Sequence, residues 1–585
     1  MIRTPLIALA LLASAALAPR VDAQASLASV RPDAAQRADS ARALRSARSA
    51  QAAFERVRFQ HLPWKEDTGG GWSCDEVIGR FCIWYSENED EDDEWRPPPD
   101  HRDVVRARDT LIAALDRASA VTPGDAWVAG QRVRYLVEAG RAPEAARAAR
   151  DCRAEAWWCH ALEGYALHHA RDYPAAERAF AAASAATMPA AVRREWEELV
   201  PAFRDADVRA LRRIPAPGRE AALRRFWWLA DPFWMEPGND RMTAHFARLV
   251  ADRLQDHART TEGLFWADDL REILLRWGPP AGWERVRPRF HQAGRVEVST
   301  HYLPSFEFLP TMEMVRDPFT IDADAWKTDE RGSHSLYAPP GVRHFGPLPH
   351  QVAVFPRGGS VEVVAAFAMK PDSLPARPVL DAGVVLMRAP DAAPVVRAGR
   401  ISGNHGVFRA TAAPESTVIS IEAREAASER AARARFGIDL RRPAVAGVAI
   451  SDVLLLDAPA ARPRSLDEAA PQARGSTVFR AGDRMGVYWE VYGLEGKADS
   501  VTFSVALARR PPGGLRRAVE SIGLARTAAP VRLRWDEAPP GVAIAPRSMG
   551  ISLPRLPAGE YVLEVAVRTR AGATAFTQRE ITVTR

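Results

Sequence analysis

Lysine is almost missing from this chain. Of 79 cationic side chains in 585 residues only four are lysine (Lys65, Lys327, Lys370 and Lys497); the rest are arginine. The arginines are interspersed with 74 acidic residues, leaving a formal charge of +5. No basic run is dense enough to trace a phosphate backbone, which argues against a nucleic-acid partner. Long apolar runs are scarce as well. Beyond the N-terminal stretch none reaches the roughly 20 residues a membrane-spanning helix needs, so no transmembrane segment is expected in the mature chain. There is no His-Glu-x-x-His, no Gly-x-Ser-x-Gly elbow and no Gly-x-x-x-x-Gly-Lys-Ser/Thr loop. The zinc-protease, hydrolase and phosphate-cradle chemistries those spacings serve are therefore not indicated, and no catalytic residue, metal or cofactor is assigned.

What is present begins with residues 1–23. Arg3 precedes an apolar stretch from Leu6 to Ala18 and a small-residue end, Val21-Asp22-Ala23. This is the pattern of a secretory signal peptide, so the mature chain is expected to start at Gln24 and to be exported, periplasmic or extracellular. Export changes how the four cysteines are read. Cys74 and Cys82 are eight apart and Cys152 and Cys159 seven apart. In an oxidising compartment two close pairs predict the disulfides Cys74–Cys82 and Cys152–Cys159. The rival, a zinc site, lacks the two-residue knuckle of structural zinc.

Along the chain the expected architecture is multidomain α plus β. Within residues 24–60, the stretch from Asp33 to about Val57 has no Gly or Pro and spaces Ala38, Ala41, Leu44, Ala47 and Phe54 near the helical period, predicting one amphipathic helix. Residues 61–102 are a cysteine-containing loop region with an acidic run from Glu87 to Glu94, read as a solvated linker or a Ca2+ attractor. In residues 103–206, "YLVEAGRAPEAARAARDC" and "YALHHARDYPAAERAFAAA" place Ala145 and Ala176 31 positions apart. With Gly164, Tyr173, Phe180 and Pro189 near the expected small, aromatic and terminating positions, this resembles a tetratricopeptide-like helical array. His160, His168 and His169 lie in the second copy. Without a further ligand in helical register they are read as surface or packing residues.

Residues 207–343 open with "RRFWWLADPFWMEPGND". A helix is predicted to end near Ala230, with turns forced by Asp231-Pro232 and Pro237-Gly238-Asn239, before a second helix carrying His245, Phe246, Leu249, Val250 and Leu254. Trp227 and Trp228 are neighbours about 100° apart on a helix and cannot make one flat platform, so a packed corner is expected. Asp231 would cap the next turn or accept from an arginine such as Arg241. "LREILLRWG", closed by Gly278-Pro279-Pro280, reads as a strand and turn. From about His344 short alternating runs separated by Gly/Pro turns predict an antiparallel β-sandwich over 344–456. A Pro-rich linker over 457–474 and an immunoglobulin/fibronectin-like β-sandwich over 475–585 follow.

Phe226-Trp227 followed by Asp231-Pro232, Asn239 before a helix with His245, then Trp266, Asp268 and Asp269 leading to Gly278-Pro279, resemble in order and spacing the GWxTD-domain proteins. This is a bacterial family of exported proteins whose domain has no assigned activity. Gly263 is separated from Trp266, and Asp268 stands where the naming motif has Thr, so the resemblance is to a divergent branch. It implies a helical region before the domain and a β-sandwich after it, and no chemistry. Two readings follow. One is a non-enzymatic cell-envelope protein with a protein partner. The other is a carbohydrate-binding or carbohydrate-active protein that meets a glycan with the Trp-rich central block. Asp268 and Asp269 are the nearest acidic pair for the second, but adjacent residues in a strand or turn point apart, and capping or arginine pairing is the expected role.

Overall fold

The structure, a computed structural model, describes residues 34–65, 74–83, 95–197, 199, 201–287, 296–326, 333–444, 447–457, 462–495, 500–510, 531–538, 541–553 and 556–585. The signal-peptide pattern at 1–23 and the acidic run 87–94 lie outside them. Mixed α and β architecture is confirmed, with helices first and strands last. The helices are α1 (Ala34–His61), α2 (Arg102–Val121), α3 (Ala126–Glu138), α4 (Ala142–Arg150), α5 (Ala156–His169), α6 (Tyr173–Ala185), α7 (Ala190–Glu197), α8 (Asp205–Arg213), α9 (Ala216–Ala230), α10 (Asp240–Leu254) and α11 (Asp268–Trp277), with short turns α12 (Met312–Arg316) and α13 (Leu466–Ala469).

α1 buries Ala47, Gln51, Phe54, Glu55 and Arg58 along one stripe, the three-to-four spacing of an inward helix face. The next helices form hairpins. Asp125 caps α3 by accepting from the Val128 amide at 2.9 Å, and Asp172 caps α6 from the Ala175 amide at 3.2 Å. Gly140 (φ 72°) and Arg171 (φ 61°) both turn in the left-handed region, three residues before Pro143 and Pro174. The two helix–turn–helix units thus superpose in sequence at 31 residues, with Ala145 and Ala176 fully buried in both. Gly164 is required where α5 meets α6: a Cβ there would lie 2.7 Å from the Phe180 ring. Both disulfides form. Cys152–Cys159 joins α4 to α5, and Cys74–Cys82 closes a hairpin of β2 (Glu76–Ile78) and β3 (Phe81–Ile83).

The segment read as a strand, "LREILLRWG", is helix α11. Leu270, Ile273 and Leu274 are buried at helical spacing, and Asp268 and Asp269 favour the positive N-terminal end. A short apolar run fits both periods, and here the partners decide. Gly278 ends the helix at φ 90° with the Arg248 guanidinium 3.0 Å from where a Cβ would sit, so a side chain is excluded twice over. A three-stranded sheet follows in the order β1-β4-β5, made by β1 (Trp64–Lys65), β4 (Gly282–Val286) and the edge strand β5 (Glu297–His301).

The first sandwich holds β6 (His344–Pro347), β7 (His350–Arg357), β8 (Ser360–Ala368), β9 (Val379–Met387), β10 (Val395–Ser402), β11 (His405–Ala412), β12 (Ser416–Glu425) and β13 (Arg430–Asp439). They form sheets ordered β10-β9-β12-β13-β6 and β11-β8-β7 over one apolar core. The second holds β14 (Ala449–Ile450), β15 (Leu454–Leu456), β16 (Val478–Arg480), β17 (Arg484–Tyr492), β18 (Val501–Arg509), β19 (Val531–Glu537), β20 (Ile544–Ser552), β21 (Gly559–Thr569) and β22 (Thr574–Thr584). Two boundaries differ from the sequence reading. Residues 449–456, which the sequence pattern assigns to the first sandwich, supply β14 and β15, and these pair with β17 of the second. The expected linker 457–474 is, in its described part, no free connection: Leu466, Ala469, Ala470 and Ala473 are buried between Phe355 and Ala366 of one sandwich and Leu454 and Tyr488 of the other. Apolar alternation marks a strand without naming its neighbour.

Candidate functional site

The tryptophan-rich stretch ends α9 and enters the first sandwich. Phe226, Trp227, Trp228, Pro232, Phe233 and Trp234 are all buried. Trp227 turns toward His245 (5.1 Å between centroids) and Phe203, while Trp228 stacks on Trp234 at 5.0 Å and 7°. Pro232 stops the helix, and no glycine is available to close its carbonyls. Arginines from β13 do it instead. Arg435, fully buried, donates to the carbonyls of Leu229 (2.9 Å) and Asp231 (2.7 Å), and Arg433 donates to those of Asp231 and Pro232. Cations at a helix C-terminus meet both the orphan carbonyls and the negative end of the dipole. Glu422 of β12, fully buried, accepts from the amides of Trp234 and Met235 at 3.0 Å each. It also faces Arg435 at 3.2 Å, and that guanidinium lies 3.9 Å above the Trp234 ring. The stretch is a weld between domains, with no open ring face.

The remaining motif residues support the same corner. Asp231 Oδ1 accepts from the Phe233 amide at 3.0 Å. Its arginine partners are Arg435 and Arg433, at its carbonyl; Arg241 donates to Ser335 Oγ instead, at 2.8 Å. Asn239 caps α10 through the Met242 amide and donates to the Trp227 carbonyl. His245 is 1% exposed and its ring nitrogens have no hydrogen-bond partner among the described residues. Burial, helped by Arg241 and Arg248, pushes its pKa down to about 3, so it is a neutral packing ring. Asp269 is buried and takes the Arg80 guanidinium at 2.6 and 2.7 Å, which holds its carboxyl at about 2. Asp268 beside it is exposed, as is Pro279. His168 is hydrogen-bonded to Thr243 Oγ1 at 3.0 Å.

A second aromatic site was not legible in the sequence. A cleft of about 1620 Å3 opens where α1, α2, α3, α5, α10, α11, the β1-β4-β5 sheet and the first sandwich converge. Trp95, Trp266, Trp277 and Trp283 line it, together with Pro97–Pro99 and the run Val298–Phe306, which includes most of edge strand β5. Each indole is held. Trp266 Nε1 donates to Asp252 and Trp283 Nε1 to Glu262; Trp95 stacks on His301 at 4.3 Å; Arg276 lies over Trp277 at 5.1 Å. His301 in turn contacts Glu284 at 2.6 Å. Leu303 on the wall is 45% exposed, and Phe265, beside lining residues Leu264 and Trp266, is 82% exposed.

One end of the cleft is polar and tightly organised. Arg58 donates to Thr261 Oγ1 at 2.8 Å and pairs with Glu138, which also holds Arg134 at 2.9 Å. Burial would raise Glu138, but Arg58 and Arg134 outweigh it and hold its pKa at about 2. Tyr135 donates to Glu55 at 2.9 Å, and Gln51 bridges Gln131 and Tyr135. These charges satisfy one another and set the cleft's shape; the side chains left for a ligand are largely apolar.

No protein-family model matches the chain, and no curated protein matches it. Among solved structures it is similar over 56% of its length, at 8% identity, to the crystal structure of red sea bream transglutaminase, with a TM-score of 0.13. The match spans 47% of that chain, and a likeness of this size carries no argument.

Proposed function

We propose that this is an exported, non-enzymatic cell-envelope protein that binds a protein partner in the aromatic cleft. On this reading α3–α6 are a short tetratricopeptide-like array, residues 207–343 a divergent GWxTD-type domain, and the strand-rich tail a pair of β-sandwiches of the immunoglobulin/fibronectin kind. The two disulfides fit an oxidising compartment, and among the described residues no helix is long and apolar enough to cross a membrane.

The observation that carries the reading is the cleft's combination of size and lining. It exceeds the roughly 300–1,000 Å3 of small-molecule pockets. It offers an edge strand, the proline run Pro97–Pro99 and exposed apolar side chains beside it, the features by which an extended segment of another chain is held. A glycan is the second reading, favoured by the four tryptophans. Sugar stacking needs a free ring face, and Trp95 and Trp277 each give one to His301 or Arg276.

Pull-down from envelope extracts with the full chain and with Leu303→Asp tests this, beside a glycan array probed with both. Recovery of a protein by the parent chain and its loss with Leu303→Asp is expected, with a blank array. Glycan binding lost in the variant would replace the first reading by the second, and a blank result in both formats would overturn both.

A further inference from the structure

Where the end of α1 meets the start of α2, beside the cleft that His61 and His101 help to line, three potential ligands come together. His61 is the last residue of α1, His101 is the N-cap of α2 and Asp103 lies in its first turn. His61 Nε2 stands 3.7 Å and His101 Nδ1 3.5 Å from the same oxygen, Asp103 Oδ2. The three donor atoms lie within 4.8 Å of one another, and the two imidazoles are stacked at 4.1 Å and 6°. We propose that His61, His101 and Asp103 bind a divalent transition-metal ion of the zinc class.

Two imidazoles and one carboxylate are a recognised ligand set for Zn2+, with bonds of about 2.0–2.2 Å and a fourth position for water or a ligand atom. In a tetrahedron of that size neighbouring donors are about 3.3–3.5 Å apart, so both histidine-to-aspartate separations are already near the required edge. Because the rings are parallel, their in-plane lone pairs do not converge as they stand, and binding requires the imidazoles to rotate out of the stack until both nitrogens aim at one point. His101 Nδ1 accepts from the Asp103 amide at 3.2 Å, which turns its lone pair toward Asp103; a cation there takes over that lone pair from a long hydrogen bond. Arg106 pairs with the other carboxylate oxygen, Oδ1, fixing the carboxylate while leaving Oδ2 to the cation. All three side chains are solvent-accessible, between 30% and 45% exposed, which gives the ion an entry path. The bound ion would clamp the end of α1 to the start of α2 beside the cleft entrance. This goes beyond the partner-binding reading and does not rest on it.

Titration of the untagged, metal-stripped full chain with ZnCl2 by calorimetry tests the site, with Co2+ absorption as a second readout. One equivalent of Zn2+ is expected, with tetrahedral Co2+ bands in the visible. His61→Gln and Asp103→Asn should each weaken binding at least tenfold, and so should His101→Ser, which keeps an N-cap side chain while removing the ligand. Circular dichroism identical to the parent's shows that each variant is folded. Millimolar Ca2+ should not compete, since a nitrogen-rich site is a poor calcium site. Absence of saturable Zn2+ binding, or parental affinity in all three folded variants, would overturn the proposal.

Discussion

Two tryptophan-rich regions of this molecule do opposite things. Trp227, Trp228 and Trp234 lie within eight positions of the chain, are buried, and lock α9 onto β12 and β13 through Arg435 and Glu422. Trp95, Trp266, Trp277 and Trp283 are spread over almost 190 positions, are partly exposed, and line a cleft. The compact cluster suggests a binding platform and is a joint; the scattered set suggests nothing and forms the concave surface. Neighbours on a helix diverge by about 100°, so local density favours packing in several directions, whereas a concave wall needs rings delivered from different elements.

The largest expected effect breaks the joint. Arg435→Ala removes the ion-pair partner of buried Glu422 and strands the Leu229 carbonyl, while the Asp231 carbonyl keeps Arg433. With the ion pair and the Leu229 carbonyl's partner lost, it should cost about 3–5 kcal/mol in denaturant unfolding of the region that includes α9 and the first sandwich. A cost within about 1 kcal/mol would mean that the two domains are joined by something else.

On the cleft side, the double variant Cys74→Ser/Cys82→Ser removes a short covalent loop from the hairpin that carries Arg80, the partner of Asp269. A loss of about 2–3 kcal/mol is expected, together with weaker partner binding, because Phe81 and Cys82 line the cleft. Retained binding would separate the hairpin from the site.

The joint should also respond to acid through His245. Its folded pKa is depressed to about 3 from an unfolded value near 6.5. Its contribution is therefore present above about pH 6.5 and lost progressively as the pH falls toward 3. His245→Phe should flatten the stability profile between pH 6.5 and 4.5 by an amount on the order of 2 kcal/mol. An unchanged slope would place the acid sensitivity in other groups.

The smallest effect on stability belongs to the cleft rim. Phe265→Ala and Leu303→Ala should change unfolding free energy by less than about 0.5 kcal/mol and yet weaken partner binding at least tenfold. Affinity equal to the parent's in both would remove the rim from the interface.

The sequence carried the joint and not the cleft. The end of α9 at Ala230 and the start of α10 after Asn239 follow from Asp231-Pro232 and an N-cap, which are local signals. The repeat offset of 31 residues was visible in Ala145 and Ala176, and two cysteine pairs at short spacing pointed to their own partners. What failed was pairing over distance. "LREILLRWG" carries an apolar pattern that a strand or a helix can use, and only burial on α10 and the cleft makes it a helix. Residues 449–456 look like the last strand of one sandwich and pair with the next because Tyr488 and Val491 of β17 lie opposite them. Arg58, Glu138, Trp277 and His301 come from four distant segments, and no spacing rule links them.

Joint and cleft differ in which indoles meet solvent. Oxidative footprinting of the native full chain, read tryptophan by tryptophan by mass spectrometry, measures that difference directly. Strong protection of Trp227, Trp228 and Trp234 is expected, with faster labelling of Trp95, Trp266, Trp277 and Trp283 that slows when a partner is bound. Labelling of Trp227 and Trp234 as fast as that of the cleft set would contradict it.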